Sequence, residues 1–427
     1  MTGHSRRSLL AAAGTALTGT LAGCTSRLSD ESSVEYDQSA LADLPGDLPG
    51  VPAAEPVQPT TAHLDAARQR VRSLLADTDL SRVPNAAVRD RLDRERASAR
   101  EALAGESDGP TRVDALAGLT HPRSEAMFVY AGLAAFDSDL DERDLAARRD
   151  RRQREAAAIR DDYRYVGSPD APAATLAEHA RIVGWARTGV RILEENEHDR
   201  FENDVLHAAE LAQDIEWGRA YAADARRLGE HHGSTLTDPV DYGDRFGRAA
   251  DTLVDAVETH ADAPDWETLT TGFDRDIEHT AAETLLEELA RSRLAHAQNA
   301  VEDHDEGRPA LAVVAGMQAL AAARAFDAAT EAVEDGSYGV PESVEPIATA
   351  RTDAVAGLEE LLDTAPASLA RRLAAQVATQ IHSADRRVQR RPVASPGRYL
   401  YAEYAIAAHL AAAAPAVVRR VGAAVED

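Results

Sequence analysis

The sequence of 427 residues contains no lysine, one cysteine and 4% aromatic residues. Without lysine the chain has no side chain for a Schiff base and no Walker-type phosphate loop. With one cysteine it can form neither an internal disulfide nor a cysteine-rich metal site. Gly-x-Ser-x-Gly, dinucleotide-binding and His-Glu-x-x-His motifs are also absent. These absences argue against the commonest enzyme classes, but they leave open whether the protein has an activity. Nothing in the sequence requires a cofactor.

Acidic side chains dominate the charge, because 73 Asp and Glu stand against 46 basic residues and give a net charge of −27. Such a charge destabilises a compact state at ordinary ionic strength, whereas molar salt shortens the Debye length to about 3 Å and screens it. Nucleic-acid-binding proteins present basic surfaces, so we expect no nucleic-acid partner.

The first residues have the pattern of an export signal. Arg6 and Arg7 precede an uncharged run over residues 8–23, which is shorter than the roughly 18 apolar residues that indicate a spanning helix. The stretch SRRSLL resembles the twin-arginine export motif.

A second motif follows the uncharged run. Leu21, Ala22, Gly23 and Cys24 resemble a lipobox, the site where lipoproteins are cleaved and acylated. Together with the alanine-rich, lysine-free composition, the two motifs resemble those of haloarchaeal lipoproteins exported by the twin-arginine route. The resemblance implies removal of residues 1–23, a lipid on Cys24 that attaches the protein to the membrane, and a location on the outer face of the cytoplasmic membrane.

The remaining chain divides into two parts. Residues 24–60 contain the lipidated cysteine and five prolines between residues 45 and 59, a density that favours an extended tether. A short helix is expected near residues 39–43. Residues 61–427 show helical periodicity almost throughout, and we expect them to form one extracytoplasmic all-helical domain.

The fold class that this periodicity predicts is all-α, with about twelve helices in antiparallel hairpins. One apolar stripe with the spacing of a helix face runs through Leu369, Leu373, Val377, Ile381, Ala384 and Val388. An irregular α-solenoid and a helical bundle both remain open. Residues 229–243 are expected to form a turn that includes His231 and His232, and the last helix, predicted over 398–421, is expected to be a core helix kinked at Pro415.

One candidate site is a polar band on a predicted helix. His207, Glu210 and Asp214 fall on one face at 100° per residue, and with a histidine from elsewhere, His179 or His279, they could hold a metal. Di-iron bundles use the opposite order, Glu-x-x-His, and a boundary face with a hydrogen-bonded histidine is the alternative.

A second candidate is an arginine cluster within an acidic chain. Arg148, Arg149, Arg151 and Arg152 could dock an anionic surface or a phosphate-bearing ligand. The alternative is ion pairing with acidic residues one or two turns away, such as Glu155.

Three functions therefore remain. A membrane-anchored binding or scaffolding module, with a possible protein partner on its helical surfaces, agrees best with the tether and the missing catalytic motifs. A helical metal-binding or redox protein would use His207, Glu210 and Asp214. A solute-binding lipoprotein is the third, although the usual two-lobed α/β pattern is missing.

Replacing the lipid-attachment residue tests the export interpretation. In the native host, Cys24→Ser should leave unprocessed precursor or release the protein to the medium, because no thiol remains for acylation. Membrane fractionation and the mass of the processed chain measure this, with Ser26→Ala as a control. Unchanged size and membrane retention in Cys24→Ser would contradict the lipoprotein interpretation.

Overall fold

The computed structural model describes residues 38–105, 111–137, 140, 142–161, 163–194, 203–262, 268–390 and 397–427. These residues form fourteen α-helices, two short 3-10 helices and one ladder of two short strands, so the predicted all-α class is confirmed. In chain order the helices are α1 Gln38–Ala42, α2 Thr61–Leu75, α3 Ala86–Ala104, α4 Arg112–Gly118, α5 Thr120–Phe136, α6 Glu142–Asp161, α7 Pro172–Leu193, α8 Asp204–Thr235, α9 Gly243–Val257, α10 Ala281–Asp305, α11 Pro309–Glu334, α12 Glu345–Leu362, α13 Ala367–Arg390 and α14 Gly397–Glu426. The strands β1, Val166–Gly167, and β2, Val240–Asp241, pair antiparallel.

The helices after β2 form a closed bundle. Helix α11 lies at its centre and packs against α7, α9, α10 and α14. In a solenoid each repeat contacts only its neighbours in the chain. These contacts therefore show a bundle, which is one of the two architectures that the sequence left open. Alanines make up most of the buried face of α11, and their small side chains allow the surrounding helices to approach.

The helices before β2 form a second bundle with a divided core. Helix α8 packs against α5, α6 and α7, and α3 also packs against α5. Three separate apolar clusters lie here, with buried ion pairs between the helices. Asp224 accepts hydrogen bonds from His63 and Arg123 at 2.9 and 2.5 Å. Burial alone would raise the pKa of Asp224, but these two partners lower it below its ordinary value.

Helix α7 joins the two bundles. Leu176 and Val183 on one side belong to the large apolar core of the second bundle, while Ile182 and Trp185 on the other side belong to a cluster of the first. Thirteen of its 22 residues are buried. The helix is therefore a shared wall, and side chains at its edge lie at the junction of the bundles.

Two glycines set the distance between α7 and α8. A Cβ atom on Gly189 would lie 2.8 Å from the carbonyl oxygen of Gly218, and a Cβ atom on Gly218 would lie 2.5 Å from Cγ of Leu193. Real Cβ atoms do not approach other atoms so closely, so the crossing requires glycine at both positions.

The proline-rich segment lies against both bundles over its described part. Leu41 is buried in the core, and α1 confirms the short helix expected near residues 39–43. Glu55 accepts hydrogen bonds from Arg181 of α7 at 2.9 Å and Arg372 of α13 at 3.0 Å. Because the buried carboxylate of Glu55 pairs with both bundles, residues 38–60 lie against the domain. This part of the tether predicted for residues 24–60 is therefore not an extended spacer.

One local prediction is wrong. His231 and His232 lie inside α8, not in a turn, because each glycine costs a helix only about 1 kcal/mol and His232 is buried. The last helix is a largely buried core helix that contains Pro415, as predicted, but α14 spans 30 residues and is longer than the predicted range 398–421. By length and composition α11 and α14 could each cross a membrane, but most of each apolar segment is buried in the fold, and core helices pass the same test.

The glycine crossing leads to a stability prediction. Gly189→Ala should lower the free energy of unfolding by ~1–3 kcal/mol, because the methyl group forces α7 and α8 apart. The matched control is Gly229→Ala in α8, where the nearest atom would be Ile182 Cγ2 at 3.8 Å. Denaturant unfolding in molar salt measures both variants. Equal stability of Gly189→Ala and wild type would contradict the close crossing.

Candidate functional site

A cavity of about 170 Å³ lies where the two bundles meet. We call it the junction cavity. One wall comes from α6, α7 and the segment before β1, and the other from the turn between α10 and α11. It is lined by Ile159, Tyr163, Tyr165, Val183, Ala186, Arg187, Val190, Arg191, Glu194, Glu302, Glu306, Gly307 and Arg308.

The turn between α10 and α11 positions Arg308. The N–H of Gly307 donates to the carbonyl of His304 at 2.9 Å, and the N–H of Arg308 donates to that of Asp303 at 2.8 Å. These are the two bonds of a Schellman motif, which requires the positive φ of 69° that Gly307 adopts. Pro309 then begins α11, where a missing N–H has no cost. The tripeptide Gly-Arg-Pro thus holds one arginine between two helices.

Asp303 brings two guanidinium groups together at the buried end of the cavity. Arg187 Nη1 lies 2.9 and 2.8 Å from the two carboxylate oxygens, and Arg308 Nε donates to Oδ1 at 2.6 Å. Burial raises the pKa of Asp303, although both arginines oppose this shift. Each arginine also has a second carboxylate partner, since Arg308 contacts Glu306 and Arg187 Nη2 lies 3.5 Å from Glu302.

Arg308 retains an unused donor. Its side chain is 4% exposed, and Nη1 contacts Glu306. Nη2 has no hydrogen-bond partner among the described residues, and a carboxylate oxygen of Glu302 lies 3.8 Å away. A buried donor without a partner costs free energy of ~1–3 kcal/mol, and the other nitrogens of the same guanidinium group pair with Asp303 and Glu306.

Two tyrosines line the cavity and differ in their partners. The hydroxyl of Tyr163 donates to Nδ1 of His179 at 2.6 Å, and Nε2 of His179 donates to the carbonyl of Val166 at 2.8 Å. Burial lowers the pKa of His179 to about 4, which keeps its ring neutral and able to accept. The hydroxyl of Tyr165 has no hydrogen-bond partner within the described part of the chain, while its ring packs edge-on against His179 and Phe246.

The rest of the lining is apolar towards the interior and charged at the opening. Val183 and Ala186 of α7 are buried. Arg191 is exposed at the opening, and the described residues provide it with no ion-pair partner. Glu194 and Glu302 also lie at the opening. The cavity can therefore hold a small molecule with one polar end and an apolar body.

The structure places His207, Glu210 and Asp214 on α8, away from the junction cavity, and all three are half-buried. Nδ1 of His207 is buried without a hydrogen-bond partner among the described residues. Across the same residues, no group of three or more His, Cys, Asp or Glu is arranged to hold a metal ion. The metal hypothesis thus has no geometric support in the described part of the chain.

The arginine cluster lies on α6. Arg148 and Arg151 are exposed, and Arg149 is half-buried with a partner of its own. Arg152 pairs with Glu155 at 2.6 Å. Arg152 thus has the ion pair with Glu155 that the alternative predicted, and docking of an anionic surface or ligand by the cluster stays a prediction. The predicted signal and lipidation residues, Arg6, Arg7, Leu21, Ala22, Gly23 and Cys24, lie outside the described residues.

Sequence reasoning missed the cavity residues. Gly307 and Pro309 are turn-forming residues, so the local sequence does indicate the turn between α10 and α11. Nothing local connects this turn with Arg187, which lies 116 residues before Asp303 in the chain. An arginine that pairs with an acidic residue is also not distinctive in a chain with so many charged side chains.

Two family models match the chain in tandem. Residues 62–238 match a domain of unknown function (DUF8262), and residues 243–423 match a second domain of unknown function (DUF8264). No curated protein and no solved structure matches. The chain is similar to two domain families. The first match covers α2–α8 and the second covers most of α9–α14, so the junction cavity takes its two walls from the two matched regions.

A matched pair of tyrosine variants tests this hydrogen bonding. Tyr163→Phe should lower the free energy of unfolding by ~1–2 kcal/mol, because Nδ1 of His179 loses its donor in a buried site. Tyr165→Phe should leave it within about 0.5 kcal/mol of wild type, because its hydroxyl has no protein partner. Denaturant unfolding at pH 7 measures both. Equal losses in the two variants would contradict the assignment.

Proposed function

We propose that this protein is an extracytoplasmic binding module that captures a small molecule in its junction cavity, held at the outer face of the cytoplasmic membrane by a lipid on Cys24. The observation that carries the binding function is the junction cavity, which combines an apolar wall with arginine side chains and with Tyr165, whose hydroxyl has no hydrogen-bond partner among the described residues. The twin-arginine and lipobox motifs support the anchoring.

A small molecule agrees better with this geometry than a protein partner. The cavity is lined by an apolar wall and a few polar side chains, which is the usual composition of small-molecule sites. The exposed large apolar residues of the described chain do not cluster. Most are single side chains on separate elements, such as Tyr130, Val340 and Tyr399. They offer no broad apolar patch for a partner protein.

Three probes of one shape test the binding function without assuming the charge of the ligand. Benzoate, benzamide and benzylammonium each have a ring that fits a cavity of this size, since benzene enters engineered cavities of about 150 Å³. We expect at least one probe to bind with 1:1 stoichiometry by isothermal titration calorimetry in molar KCl. Val190→Phe, which places a ring in the cavity, should weaken that probe about tenfold or more.

The matched control is Val340→Phe, because Val340 is 48% exposed and does not line the cavity. Circular dichroism should show that both variants are folded. The proposed function is wrong if no probe binds wild type at millimolar concentration, or if Val190→Phe and Val340→Phe bind equally well.

A further inference from the structure

We infer that the ligand of the junction cavity is an uncharged molecule with a short apolar body and one carbonyl group, such as a carboxamide or a ketone, and that this carbonyl accepts a hydrogen bond from Tyr165. This inference rests on the proposed function and adds the chemical class of the ligand. It depends on the open hydroxyl of Tyr165, on the matched charges of the lining and on the apolar wall.

The hydroxyl of Tyr165 is available to a ligand. Tyr165 lines the cavity, and its hydroxyl oxygen is not among the buried polar atoms that lack both a partner and accessible surface. Burial raises the pKa of Tyr165 above its ordinary value, and the charges of Arg308 and Asp303 act on it in opposite directions. The hydroxyl therefore stays protonated at neutral pH and can donate to an acceptor in the cavity.

The charges of the lining are already matched. The cavity is lined by three arginines and three glutamates, namely Arg187, Arg191, Arg308, Glu194, Glu302 and Glu306. Asp303 pairs with both Arg187 and Arg308, and Glu306 also contacts Arg308. An anionic ligand would have to compete with these carboxylates, and a cationic ligand with these guanidinium groups. An uncharged ligand leaves the existing ion pairs intact.

The apolar wall determines the body of the ligand. Val183 and Ala186 of α7 are buried, and Ile159 and Val190 line the same cavity. The cavity volume of about 170 Å³ is similar to that of engineered cavities of about 150 Å³ that bind benzene. A body of one ring, or of a short chain of similar size, therefore fits, and the wall favours it over water.

A carbonyl is the uncharged group that best matches a single open donor. Its oxygen has two lone pairs and no hydrogen, so it accepts from Tyr165 without adding a donor that needs a partner of its own. An alcohol would add such a donor, and the carboxylates of Asp303 and Glu306 already pair with Arg308.

Calorimetry with five probes tests the ligand class on the wild-type protein. Benzamide and acetophenone have a ring and a carbonyl, toluene has the ring alone, and benzoate and benzylammonium are charged. In molar KCl at pH 7 we expect the two carbonyl probes to bind about tenfold more tightly than the charged probes, which lose hydration without gaining a free partner. Toluene should bind about fivefold more weakly than acetophenone, because it cannot accept the hydrogen bond.

Two tyrosine variants test the hydrogen bond itself. Tyr165→Phe should weaken benzamide and acetophenone about fivefold and change toluene by less than about twofold, because only the hydroxyl is removed. Tyr163→Phe is the matched control, since it also removes a hydroxyl from the lining, but one that donates to His179. It should change the affinity for acetophenone by less than about twofold. Circular dichroism checks that both variants are folded, and the comparison of probes on wild type needs no variant.

The outcomes separate the two proposals. If benzoate, benzylammonium or toluene binds wild type as tightly as the carbonyl probes or more tightly, and Val190→Phe blocks it, the ligand class is wrong and the binding function stands. If Tyr165→Phe is folded and binds acetophenone like wild type, the ligand class is likewise wrong. If none of the five probes binds wild type, both proposals fail.

Discussion

The burial of α7 on two sides is the constraint on which the rest of the structure depends. One side contributes Leu176 and Val183 to the core of the second bundle, and the other contributes Ile182 and Trp185 to the first. A helix buried on two sides cannot move relative to either bundle without losing apolar contacts in both. The bundles therefore meet along α7 in one arrangement, and Arg187 extends from this helix towards the turn between α10 and α11.

The two bundles differ in how their cores are divided. In the second, the buried face of α11 is apolar and mostly alanine, and ion pairs such as Asp385 with Arg351 lie in the same bundle as one large apolar core. In the first, ion pairs such as Asp224 with Arg123 lie between smaller apolar clusters. Buried ion pairs add little net stability compared with apolar packing but are costly to break. The first bundle thus depends on specific partners, and the cavity forms at its boundary with the second.

The chemistry of the cavity follows from unequal use of similar groups. Tyr163 donates to His179, whereas Tyr165 has no partner in the described chain. Arg308 uses Nε and Nη1 for Asp303 and Glu306, and its Nη2 has no hydrogen-bond partner among the described residues. The hydroxyl of Tyr165 is thus the group of the lining that remains open to a ligand, since buried polar groups in folded proteins are almost always hydrogen-bonded.

The sequence by itself determined the all-α class, because helical periodicity is a local pattern, and it indicated the turn at Gly307. It also led us to expect export and lipidation at Cys24, which depend on short motifs alone. Only the tertiary structure decided that the helices form bundles, that the described proline-rich residues dock through Glu55, and that His232 lies inside a helix. It also brought Arg187 to Asp303 across 116 residues. Such a pairing depends on which helices pack together, and no local pattern distinguishes these two residues from the many other charges of the chain.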